Sequence, residues 1–114
     1  MSEATDVVDR QIAAYRDRDL ERFLGCYAAD TKIRDFDGTV LMEGLEAIRG
    51  RYGPLFRDSP QLSVEVPRRI VSADYVIDEE HISGFILDGL PPAMQAVVVY
   101  RVREGLIHDV VLLM

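Results

Sequence analysis

The stretch DLERFLGCYAADTKIRDFDG, residues 19–38, changes its hydrophobic period part-way along. In its first half Leu20, Phe23, Leu24 and Tyr27 fall on one helical face, and Asp19 stands where a helix cap belongs. From Thr31 to Phe36 the period moves toward two, which predicts a short strand carrying Asp35 beside Ile33 and Phe36. Asp37-Gly38 then signals a turn. Alternation places Asp35 on the strand face of Ile33, so the strand offers a carboxylate next to apolar neighbours.

Upstream, Val8, Ile12 and Tyr15 recur at helical spacing, predicting a helix over about 5–18 with Thr5 as its cap. The link RDRD leaves little room before Asp19, so the two helices should meet at a sharp angle. Downstream, EGLEAIRGRYGPLF (43–56) returns to helix, with Leu45, Ile48, Tyr52 and Leu55 on one face. Pro54 lacks a donor and crowds the preceding turn, which predicts a kink or a break there. The remaining chain reads as four strands: 61–71, 75–87, 93–103 and 106–114. Turns at 72–74 and at Glu104-Gly105 and a loop DGLPP (88–92) separate them. The last two strands are apolar at successive positions, which predicts burial on both faces. Three helices can cover only one of those faces.

At 114 residues the chain is expected to form a single domain, 1–114. Such a chain buries roughly 65–70 % of its unfolded surface, enough for one core and a small pocket. The formal net charge of −7 disfavours nucleic acid and anionic membrane surfaces, since phosphate contacts need clustered Lys and Arg. The single cysteine, Cys26, cannot form an internal disulfide and reads as core filler. With no signal-peptide pattern at the start, a cytoplasmic location is expected. No apolar run reaches membrane-spanning length.

The pieces DLxxFxxxYAxD before a strand and EGxxAIRxxY after it resemble the nuclear transport factor two-like superfamily, which includes ketosteroid isomerase and the SnoaL-like polyketide cyclases. The resemblance covers almost the whole chain. It implies an α+β fold: a curved mixed or antiparallel sheet forming a cone around three helices, with an apolar cavity at the open end. It also implies homodimers through the outer sheet face, which suits the doubly apolar final strands.

By the same resemblance the isomerase's general base falls on Asp35. An apolar pocket makes a carboxylate a stronger base toward a carbon acid; ketosteroid isomerase is itself a standard worked case of this chemistry. The isomerase's two oxyanion donors fall on Gln11 and near Val98, a weaker donor and a non-donor. Tyr15, one turn beyond Gln11, is the substitute donor, and Tyr52 matches a pocket tyrosine of that enzyme. Tyr15, Tyr27, Tyr52 and Phe56 lie on inward helix faces and are the expected cavity wall. His81 and His108 sit in apolar strands; either can shuttle protons beside a carboxylate, although a lone strand histidine is more often structural. In DEEH, Asp78 and Glu80 share one strand face while Glu79 and His81 share the other. Each face therefore offers only two ligands, and neither a metal nor a cofactor is expected.

The sequence reading is thus a pocket for a small apolar molecule, run either as an acid–base isomerase, cyclase or dehydratase with Asp35 as base, or as a non-catalytic binding or dimerisation module. The expected site is Asp35 with Gln11, Tyr15, Tyr27, Tyr52, Phe56, His81 and His108.

Overall fold

A computed structural model describes residues 2–86 and 93–114; the loop expected at 88–92 lies outside the described residues. The elements run α1 (Glu3–Asp17), α2 (Leu20–Leu24), β1 (Tyr27–Asp35), β2 (Val40–Glu43), α3 (Leu45–Asp58), β3 (Ser63–Ser72), β4 (Tyr75–Ser83), β5 (Ala93–Arg103) and β6 (Leu106–Leu113). The six strands form one sheet in the order β2-β1-β6-β5-β4-β3. Only the β1–β6 pair is parallel, so the sheet is mixed. One sheet face lies against the helices.

The helix ends follow local chemistry. Ser2, not Thr5, caps α1: its hydroxyl accepts the Thr5 N–H, and the Thr5 hydroxyl accepts the Ser2 N–H at 3.1 Å. This reciprocal box satisfies two of the donors a helix start leaves open. Arg18, at φ 53, ends α1 in the left-handed region, and Asp19 starts α2 by accepting the Arg22 N–H at 3.1 Å. The expected second helix stops at Leu24, and Tyr27 already belongs to β1. Cys26 between them is buried. In α3 the helix runs through Pro54 to Asp58. The buried side chains of Leu55 and Phe56 anchor the segment that the missing hydrogen bond would otherwise release.

β2 has no counterpart in the sequence reading. Its four residues carry no inward–outward alternation, because it is a sheet edge with little burial on either face. The β5–β6 hairpin turns on Glu104-Gly105 with φ values of 55 and 74, the left-handed pair that a two-residue hairpin turn needs.

A bulge in β6 aims the core. Arg101 pairs with Asp109 and Val102 with Ile107, so His108 is the extra residue. The alternation resets there, and Ile107 and Val110 both point inward. The centre of the core is aromatic. Phe23 is fully buried, with its ring centroid 4.8 Å from that of Tyr52, 5.1 Å from Tyr27 and 5.3 Å from Phe56. These separations lie in the favourable range for tilted and edge-on aromatic pairs. On the opposite sheet face, Ile77, Val99 and Val111 stand side by side on β4, β5 and β6. No helix among the described residues is long and apolar enough to cross a membrane.

Candidate functional site

Between the inner sheet face and helices α1 and α3 lies a cavity of about 470 Å³. Most of its wall is apolar: Ile12, Ile33, Leu55, Val64, Ile82, Val98 and Val110 among others. Among the described residues, four phenols (Tyr15, Tyr27, Tyr52 and Tyr100), the Gln11 amide and a single carboxylate, Glu80, project into it.

Strand alternation puts Glu80 there. Val76, Asp78 and Glu80 are the buried residues of β4, at every second position. The two inward acids meet different fates. Asp78, fully buried, receives two hydrogen bonds from Arg69 on the neighbouring strand, at 2.7 and 3.0 Å. Arg69 also donates to Asp9 on α1 at 2.6 Å, tying sheet to helix. Among the described residues Glu80 has no such cation. Its partner is the Tyr100 hydroxyl, which donates to Oε2 at 2.7 Å.

Burial therefore dominates at Glu80 and pushes its pKa from the ordinary 4.5 up to about 7. The Tyr100 hydrogen bond opposes that rise, the Asp78 charge adds to it, and Arg69 pulls it back. The tyrosines move in the same direction, toward the neutral form. Burial, with Glu80 nearby, pushes Tyr27 and Tyr100 well above the ordinary phenol value and Tyr52 up to about 12. All four remain neutral hydroxyl donors at physiological pH. The Gln11 amide nitrogen faces the Tyr27 oxygen, and its Oε1 has no partner among the described residues. The arrangement pairs a carboxyl group that ionises near neutrality with several O–H donors in a largely apolar chamber. That combination can take up a proton and stabilise negative charge on an oxygen.

The structure brings Gln11, Tyr15, Tyr27 and Tyr52 to the cavity wall. It places four other expected residues elsewhere. Asp35 is not among the lining residues: it is the last residue of β1, and its Oδ1 accepts the Thr39 N–H at 3.0 Å across the turn. Asp35 shares the strand face of Ile33 and pairs with Leu112, which does line the cavity, but at the strand end its carboxylate is held by the turn instead. Phe56 is buried behind the wall, edge-on to Phe23 and to Tyr15. His81 points to the outer sheet face, 2.9 Å from Glu79. His108 is the bulge residue of β6 and does not line the cavity. Among the described residues no group of three potential metal ligands comes together.

Sequence reasoning missed Glu80, Tyr100 and Arg51, a third polar residue of the wall. The facing of Glu80 was legible from alternation, but which face the helices would cover at that point was not. Val98, the position without a donor, does line the cavity, and it pairs with Asp78 across the β4–β5 ladder.

The family model of SnoaL-like domains matches residues 8–110. The chain belongs to the SnoaL-like family. No curated protein matches its sequence. Among solved structures, this SnoaL-like chain is similar to an uncharacterised cystatin-fold protein from Novosphingobium aromaticivorans, with TM-score 0.86, 24 % identity and coverage of 100 % of this chain and 99 % of that one. It is also similar to a computationally designed 17-OHP binder (TM-score 0.81, 21 % identity, 98 % and 91 % coverage). TerC co-crystallised with polyporic acid matches with TM-score 0.79, 17 % identity and 97 % and 90 % coverage. At these identities the likeness is one of fold, and the fold is the α+β cone of the nuclear transport factor two-like proteins.

Proposed function

We propose that this SnoaL-like protein binds a small, largely apolar carbonyl compound in the cavity and exchanges a proton with it through Glu80. The observation that carries this reading is a buried carboxyl group with a pKa of about 7, hydrogen-bonded to Tyr100 and facing an apolar chamber. An ionised Glu80 removes a proton from the carbon next to the carbonyl. The electron pair moves onto the carbonyl oxygen, and a neutral phenol of the wall donates a hydrogen bond to that oxygen. The protonated Glu80 then returns its proton to another carbon, or the enolate carbon attacks a second carbonyl within the molecule, whose π electron pair moves onto its own oxygen and takes the proton from Glu80. The first outcome is isomerisation and the second cyclisation. Well-placed general bases contribute roughly 10²–10⁴-fold to such steps. Relatives of this fold with a named small molecule, the 17-OHP binder and TerC with polyporic acid, support a small-molecule role.

This reading gives the base role to Glu80 rather than Asp35, whose carboxylate is engaged by the turn. The test is proton-to-deuterium exchange in cyclic ketones, followed by NMR at pH 7.5. The wild type is expected to speed exchange in at least one ketone, and Glu80→Gln to lower that rate about a hundredfold or more. Exchange that survives Glu80→Gln would remove Glu80 from the role. Ketones that bind without exchange would favour the second reading, a binding module, for which the weak or missing donors at Gln11 and Val98 speak. The same proposal has the outer row Ile77, Val99 and Val111 covered by a second copy of the chain, since a monomer would leave that apolar strip in water.

A further inference from the structure

Among the described residues, the cavity wall holds one cation, Arg51, and one acid, Glu80. Arg51 projects from α3 and is solvent-exposed, so it marks the open side of the cavity. The other charged arginines of that helix are occupied. Arg49 donates to Glu21 at 2.6 Å and Arg57 to Asp58 at 3.0 Å. Arg51, between them, holds no carboxylate among the described residues. Its charge acts on Tyr15 and Tyr52, whose hydroxyls it makes more acidic, but it is not among the groups that act on Glu80.

We propose that Arg51 is a specificity residue that receives an anionic group of the ligand at the mouth, so that the natural ligand is an amphipathic carboxylate with an apolar body. This rests on the reading of the cavity as a small-molecule site. The guanidinium offers paired N–H donors that match a carboxylate, while the apolar wall takes the body of the molecule. A chain with net charge −7 repels anions in general, so a preference for an acid over its neutral counterpart requires a local cation.

The probes are 2-naphthoic acid and 2-naphthamide, which share one shape and differ in charge. Their dissociation constants are measured by calorimetry at pH 7.5 in low and high salt. The wild type is expected to bind the acid roughly tenfold more tightly than the amide, the scale of one charge-assisted pair at a half-open site. That advantage should shrink in high salt and disappear in Arg51→Met, while Arg51→Lys keeps part of it. Thermal melts check that both variants fold. Amide binding with no preference for the acid, or a preference that survives Arg51→Met, overturns the role of Arg51 and leaves the cavity reading standing. Failure of both probes to bind overturns the two together.

Discussion

Glu80→Gln should alter how stability depends on pH, in a direction and a window that follow from one buried group. Glu80 titrates near 4.5 in the unfolded chain and near 7 in the fold, because burial disfavours its charge. Between those values the folded state holds a proton that the unfolded state has lost. Stability contributed by the neutral acid is complete below pH 4.5 and is lost as pH rises through 7. The shift corresponds to a loss of about 3 kcal/mol across the window, at a slope of about 1 kcal/mol per pH unit near its middle. Glutamine has nearly the same shape, still accepts the Tyr100 hydrogen bond and carries no charge. The assay is urea unfolding of wild type and variant from pH 4 to 9. The difference between the two curves isolates Glu80, since all other titrating groups are shared. The expected difference is flat below pH 4.5, moves in favour of the variant up to about pH 7.5, and is flat again above. Parallel curves, or a difference that moves in favour of the wild type as pH rises, would refute the argument that desolvation governs this carboxylate.

Gly84→Ala should destabilise the fold by about 3 kcal/mol or more in the same assay. The new Cβ would stand 1.9 Å from the Gln61 carbonyl oxygen, and the backbone there has φ 75, so both space and conformation oppose it; a variant of unchanged stability would mean that the crossing of these two segments is looser than described. Val99→Asp places a charge in the middle of the row Ile77–Val99–Val111 and is expected to turn a dimer into a monomer in light scattering, without loss of helix signal. A monomeric mass for the wild type at micromolar concentration would rule out the paired outer face.

Much of the architecture was legible because it rests on local chemistry. Asp19 as a cap, the Glu104-Gly105 turn, the helical faces of Val8, Ile12 and Tyr15, and the shared facing of Asp78 and Glu80 all depend on neighbours within a few residues. Where a second element decides the outcome, sequence alone was silent or misleading. β2 is a strand only because β1 offers it an edge. His108 leaves the pattern only because a bulge forms between β5 and β6. Asp35 and Glu80 make the contrast plainest. Both are acids on strands with apolar neighbours. Asp35 lies at a strand end, half-buried, where its carboxylate accepts the Thr39 N–H. Glu80 lies in mid-strand on the face that α1 covers, where Arg69 is already taken by Asp78 and Asp9. Residue type and spacing determined which side chains can carry chemistry. Desolvation chose between them, and desolvation is a property of what the rest of the chain places over a residue.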